Sequence, residues 1–561
     1  MARRTYWAQW FLALVLLSSY PPSADAGAAS PRDDLLPGAV ERMLPGYRPL
    51  LGNISGDRSL LQAPLRRQAG GGEPSRTVYH APFDDVDRDG VDDVLELDLD
   101  LREAHPRYGF IGVLRVTTLS GKSGRSLGRY DFDFHSGVPS VFPARVGTRG
   151  SPGFLVLLDR FVSNPDSPTY ELEAHAVTAR GNLVWSHEWL STWTATPTRL
   201  VAATNLAIPM ALYDGLPGRA TELLVASIDY AGAVASTTPI VVSGVDGTER
   251  TQDPVRVPWI ESAPVPFPAP DLDGDGNEDV LITSTDGLSN GLLARSSTSG
   301  EELWHNETAP SGNGVNTADL GDVNGDGARD FALGAPARLI DGGTGEVAWE
   351  RPGGAYVIAQ GDVDRDGERD VLAEGWFAGE ERFGARFKIV NSKGRTLGEK
   401  TLTAPRKREG WSWVITEPAG DPNLDGIPDE GLHLLHYPSE GRPTERRFVV
   451  SGADASVLHR GSQLLPLGGS VVGRGDDLLV ARKVGGEARL TALDGLSGRT
   501  LWRRTVPVPR RMELGFHPRA VAFERGRGDV IATFSDRRSA YAVVLDGSSG
   551  RPRWFRFLAS S

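Results

Sequence analysis

Gly321-Asp322-Val323-Asn324-Gly325-Asp326-Gly327-Ala328-Arg329-Asp330 runs directly into Phe331-Ala332-Leu333-Gly334-Ala335-Pro336. Asp322, Asn324, Asp326 and Asp330 stand at positions 1, 3, 5 and 9 of a short loop with Gly327 at position 6. That spacing wraps hard oxygen ligands around one calcium ion. The apolar run behind it reads as a strand.

Working outward, the unit recurs. Upstream, Asp85, Asp87, Asp89 and Asp93 surround Gly90 ahead of Val94-Leu95-Glu96-Leu97, and Asp271, Asp273, Asp275 and Asp279 surround Gly276 ahead of Val280-Leu281-Ile282. Downstream, Asp362, Asp364, Asp366 and Asp370 flank Gly367. The last copy, Asp421, Asn423, Asp425 and Asp429 around Gly426, is looser because Pro422 and Pro428 lie inside it. The backbone carbonyl at position 7 is the expected further ligand: Val91, Asn277, Ala328, Glu368 and Ile427. Carboxylates this close repel one another without a cation, so calcium is expected to couple to local folding as a structural staple.

A second half-motif alternates with the first. Asp341-Gly342-Gly343-Thr344-Gly345 leads to Trp349, Asp494-Gly495-Leu496-Ser497-Gly498 to Trp502, and Asp546-Gly547-Ser548-Ser549-Gly550 to Trp554. Gly300 and Trp304, and Gly181 and Trp185, keep the same spacing. This is a strand, a glycine turn and a returning strand whose aromatic packs inward, locking neighbouring units.

About nine repeat-like units fill residues 77–557, with helical periodicity nearly absent. The expected fold is all-β: a β-propeller of four-stranded antiparallel sheets, each covering its neighbour's apolar face. Common propellers stop at eight blades, so the reading favours seven or eight, with one unit an insertion or an added strand pair. A split into two smaller assemblies near 250–265 is the alternative. The Trp554 strand is expected to pair with residues 77–83 and complete a blade.

The acidic loops and the Gly334-Ala335-Pro336 ending resemble the FG-GAP/VCBS repeat families, known from the propeller head of integrin alpha subunits and from secreted bacterial proteins. The Asp-Gly-x-[Ser/Thr]-Gly-x-x-x-Trp segments look like those of pyrroloquinoline-quinone-type propellers. Both resemblances imply a propeller, the first with calcium in some blades. Neither carries an activity over.

Composition sets the remaining bounds. Arg3 and Arg4 precede the apolar run Trp10–Leu17, and Ala24-Asp25-Ala26 offers a small-x-small cleavage site, so residues 1–26 read as a signal peptide. Residues 27–75 read as a Pro/Gly/Arg-rich linker or arm and 76–561 as the propeller. No comparable apolar stretch follows the signal, so no transmembrane segment is expected in the mature chain, and peripheral association with the cell surface is compatible. With no cysteine there is no disulfide or thiol chemistry. A net charge of −13 argues against a general nucleic-acid binder.

The histidines are scattered, and His433 and His436, three apart in a strand, fall on opposite faces. Neither a Gly-x-Ser-x-Gly nucleophile signature nor a phosphate loop is present, and no carboxylate pair can be singled out as catalytic. Arg474-Gly475-Asp476 and Arg527-Gly528-Asp529 are explained by the acidic-loop position before a strand. Asn53-Ile54-Ser55 and Asn306-Glu307-Thr308 fit the N-glycosylation acceptor. Trp185, Trp189 and Trp193, and Trp411 with Trp413, suit core packing or an aromatic platform. The expectation is a secreted or cell-surface, calcium-binding recognition or adhesion module for an extracellular glycan or protein. The alternatives are a secreted carbohydrate-active or quinone-dependent enzyme and a scaffold for a surface structure.

Overall fold

Alternating apolar residues separated by glycine turns give strands here, and the strands gather into nine consecutive antiparallel sheets. The computed structural model describes residues 75–559 apart from short connecting segments, the longest being 210–219. The expected signal peptide and residues 27–74 of the arm, with Asn53, lie outside the described residues. Blades 1 to 9 begin at Ser75, Ser140, Thr194, Val265, Thr317, Tyr356, Gly410, Leu464 and Glu513. Each is built from strands consecutive in the chain. Blade 3 is widened to six strands and blade 9 to five. Among the described residues no helix is long and apolar enough to cross a membrane.

Two expectations and one alternative are corrected. The blade count is nine, because every repeat unit forms its own sheet, including the two between 140 and 258 that lack an acidic loop. The Trp554 strand does not join the first blade. The first strand, Ser75–Phe83, pairs with Asp93–His105, and Pro552–Ala559 pairs with Ser539–Leu545. Blades 9 and 1 instead meet face to face, with Val94 and Leu119 of blade 1 packed on Ile531 and Val544 of blade 9. Nor does the molecule divide near 250–265. Leu224 and Val241 of blade 3 share a core with Val280, Ile282 and Leu293 of blade 4.

The core therefore lies between blades rather than at one centre. Phe132, Phe134, Phe154 and Val156 fill the gap between blades 1 and 2. Phe383, Phe387, Leu432 and Leu434 fill that between blades 6 and 7, and Leu479, Leu490, Val530 and Phe534 that between blades 8 and 9. Each apolar sheet face needs its neighbour, and ring closure leaves no end face bare.

The tryptophans latch consecutive blades, as expected. Trp304 Nε1 donates to Gly342 O of the next blade at 2.7 Å, Trp349 Nε1 to Ser392 O at 2.9 Å, and Trp502 Nε1 to Gly547 O at 2.6 Å. The ring closes with the same contact: Trp554 Nε1 donates to Gly121 O at 3.0 Å. In each receiving turn a glycine with positive φ lies under the indole. At Gly345, with φ of 74°, an added Cβ would stand 2.3 Å from the Trp304 ring. His459 takes this role between blades 7 and 8, with its Nε2 against Gly495 O at 2.5 Å. At the seam a polar cluster adds to the latch. His80 meets Thr533 and Glu96, and Arg556 of blade 9 grips both oxygens of Glu96.

Candidate metal centres

The acidic loops all connect the first strand of a blade to the second, in blades 1, 4, 5, 6 and 7, so they share one end of the ring. Their shape follows from backbone conformation at positions 4 and 6. Position 6 is glycine throughout, with φ between 86° and 98°. Position 4 is also left-handed, as Gly274 and Gly325 in two loops and as Arg88, Arg365 and Leu424, at 60° to 63°, in the others. A side chain there carries local strain, which is typical of ligand-holding loops.

Within that frame the carboxylates converge. Asp85, Asp87 and Asp93 each offer an oxygen within 4.8 Å of the others, as do Asp271, Asp273 and Asp279, and Asp362, Asp364 and Asp370. Two oxygens on opposite sides of a calcium ion lie about 5 Å apart, so an all-oxygen set of this span suits a hard cation. These clusters can hold a metal ion. Position 5 lies outside the triads. Asp89, Asp275, Asp326, Asp366 and Asp425 each accept the backbone N–H of position 7. The loops at 322 and 421 have asparagine at position 3, and there Asn324 and Asn423 donate to Asp326 and Asp425.

Position 9 does more than close the loop. It is buried in all five copies, and its two oxygens are used differently. In four loops one oxygen accepts the N–H of position 2, from Val86, Leu272, Val323 or Val363, at 2.7–2.8 Å. In blades 1, 4, 5 and 7 the other oxygen accepts from the turn, whereas in blade 6 Asp370 Oδ1 is buried with no partner. Gly121 donates to Asp93, Ser297 to Asp279, Gly342 to Asp330 and Gly452 to Asp429. The two half-motifs of the sequence are thus two sides of one contact. Gly342 must be glycine, since an added Cβ would stand 1.9 Å from Arg329 O. Blades 8 and 9 keep the contact without the acidic loop, through Gly495 to Asp477 and Gly547 to Asp529.

Pro422 breaks the pattern in blade 7. It occupies position 2, and proline has no N–H to donate. Asp429 Oδ2 is consequently buried with no partner. Burial, followed by the charges of Asp425 and Asp421, raises the Asp429 carboxyl to about 8. Burial raises Asp93 and Asp370 to about 6 and Asp279 to about 7, each opposed by backbone donors and assisted by neighbouring carboxylates.

The other candidates find ordinary roles. Asp476 and Asp529 of the two Arg-Gly-Asp triplets are buried, and Asp476 accepts the N–H of Asp421 in blade 7. His433 and His436 are both buried, the first 3.1 Å from Glu445 and the second bonded to Ser412. Trp185 is core, while Trp189 donates to Glu249 and stacks on His187. Trp193, Thr308, Arg474 and Gly475 lie outside the described residues. The pattern reading missed Asp341, which reaches from the turn to Asn324 Nδ2 at 2.8 Å and adds a carboxylate beside the loop. Its adjacency to Gly342 was the available signal.

No family model and no curated protein matches this chain. Among solved structures it is similar to the exotype rhamnogalacturonan lyase YesX at 13% identity and a TM-score of 0.34, covering 87% of this chain and 85% of that one. The Bacillus licheniformis rhamnogalacturonan lyase follows at 12% identity and a TM-score of 0.35, covering 85% and 86%. The quinohemoprotein alcohol dehydrogenase ADHIIG of Pseudomonas putida matches at 11% identity and a TM-score of 0.22, covering 83% and 65%. None of these likenesses bears on activity.

Proposed function

We propose that this chain is an exported, calcium-stabilised β-propeller that serves as a recognition or adhesion module for an extracellular glycan or protein partner. The observation that carries the calcium role is the double use of the position-9 aspartate. An ion bound by Asp93, Asp279 or Asp370 pulls on a group already bonded to its own loop, and in the first two also to the blade's turn. Metal binding there rigidifies the blade, which is the work of a staple. The backbone carbonyls of Val91, Asn277, Ala328, Glu368 and Ile427 complete the ligand sets in this reading, together with the position-5 acids or waters.

The latch role of Trp304, Trp349, Trp502 and Trp554 is structural, so these residues by themselves lend no support to a quinone-dependent enzyme. A scaffold role in a surface structure remains the second reading. It is favoured by Phe555 and Phe557, exposed side by side on the outer strand of blade 9.

Two measurements test the proposal. The melting temperature should fall by several degrees when chelator replaces calcium, and an unchanged melt would remove the staple. The folded protein should be retained selectively on an array of glycans and extracellular proteins. No retention on either would sink the recognition role.

A further inference from the structure

The last blades carry charge that the metal sites do not use. Residues 441–561 hold 21 Lys and Arg against 11 Asp and Glu, in a chain whose net charge is −13. Three of these arginines share one face of blade 8. Arg482 in the second strand and Arg489 in the third are direct cross-strand partners. Arg503 in the fourth strand stands opposite Thr491, two residues from Arg489 on the same face. All three are exposed, and among the described residues none has a carboxylate partner. Like charges directly opposite in a sheet are destabilising. A local rule broken without internal compensation points to a ligand.

That face looks toward blade 7. Near the metal-loop end it is closed by Leu478, Val480 and Leu493 packing on Ala419, Val449 and Leu458. Beyond those residues the arginines are exposed, so this end of the joint between the two blades is open to solvent on the blade 8 side. The opposite wall of the joint carries Arg447, His433 and Glu445, which share the Val449 face by strand alternation. Glu445 accepts from Arg447 Nε at 2.6 Å and lies 3.1 Å from His433 Nε2. Arg447 is only 8% exposed, and its Nη1 is buried with no acceptor. Four guanidinium groups therefore share this joint with two carboxylates, Glu445 on blade 7 and the exposed Glu487 on the Arg489 face of blade 8.

We propose that the open end of the joint between blades 7 and 8 binds a carboxylate-bearing anionic polysaccharide, with Arg482, Arg489 and Arg503 meeting its acid groups and Arg447 on the blade 7 side. This rests on the recognition role above and narrows it to a ligand class and a place. Guanidinium forks match carboxylates in two-point geometry. Neighbouring strands are about 5 Å apart, so the three exposed arginines span roughly 10 Å and suit a line of charges more than a single anion. A nucleic acid fits less well. The rest of the chain is strongly acidic, which repels a phosphate polymer.

The test titrates the calcium-loaded full chain with hyaluronate, and in parallel with dextran as a neutral polymer and single-stranded DNA as a phosphate polymer. Hyaluronate should bind, dextran should not, and raised ionic strength should weaken binding about tenfold or more. Arg482→Gln combined with Arg489→Gln should weaken hyaluronate binding by about tenfold or more, while Arg386→Gln on blade 6 leaves it unchanged. The double variant should melt at or above the parent temperature, because a like-charge pair is relieved. Hyaluronate should raise the melt of the parent and not of the variant. Equal binding by parent and variant overturns this site and leaves the recognition role standing. Preference for DNA overturns the carboxylate assignment. Binding of neutral glycans or proteins alone also overturns it without touching the recognition role, whereas no binding to any of them overturns both.

Discussion

Pro422 shows how much one backbone N–H is worth. Four position-9 aspartates receive that donor and Asp429 does not. Leaving a buried acceptor unsatisfied costs about 1–3 kcal/mol, and replacing proline costs up to about 1 kcal/mol through the freed unfolded chain. Pro422→Ala should therefore stabilise the calcium-free protein by about 1 kcal/mol in urea unfolding, and an equal or lower midpoint would contradict the account. Glu374 is a second isolated acid. It is fully enclosed between blades 6 and 7, neither oxygen has a partner, and burial raises its carboxyl from the usual 4.5 to about 8. The fold prefers its protonated form. The stability this contributes is fully present below pH 4.5 and is lost as pH rises through about 8, with a slope of up to about 1.4 kcal/mol per pH unit. Glu374→Gln should flatten the unfolding free energy between pH 5 and 8 and make the variant the more stable protein at pH 8. A parallel pH dependence in both proteins would contradict this.

At the scale of the element, the acidic loop and the glycine turn form one device. The position-9 carboxylate holds the turn's N–H, and the turn's missing side chain lets it lie on the strand's carbonyl. Gly342→Ala forces backbone apart at a 1.9 Å approach and should cost several kcal/mol in blade 5, read as a lowered unfolding midpoint. Both halves were legible in the sequence, as were the Trp spacing and the strand character of the repeats. Their contact was not, because loop and turn lie 12 residues apart in blade 5 and 28 in blade 1, and no periodicity links them. The arginine face of blade 8 was hidden for a related reason. Arg482 and Arg489 become neighbours only once the register is known. The missing N–H at Pro422 could have been found, since the proline stands at a fixed position, but its meaning needs the partner that it fails to reach.

At the scale of the molecule, nine blades form a ring, and the seam between blades 9 and 1 carries the same tryptophan latch as three other joints together with its own polar cluster. Strand alternation identified the blades, yet the preference for seven or eight came from common propellers rather than from these residues. Trp554→Ala should cost about 3–5 kcal/mol, the usual loss for a large aromatic in a packed site. If the seam is equivalent to the other joints, Trp349→Ala should cost a similar amount, and both can be read from denaturant midpoints. A Trp554 variant as stable as the parent would mean that the ring is held elsewhere.

The latch at the seam also sets an order in time. Gly121 belongs to the first of the nine described blades in chain order, and Trp554, which grips it, is translated 433 residues later. Until then Val94 and Leu119 of blade 1 lack the cover that Ile531, Val544 and Trp554 provide. Folding from the N-terminus can therefore build a growing stack but cannot finish it. The nascent chain should remain open to proteases and chaperones until its last strand arrives, and then close in a single late step.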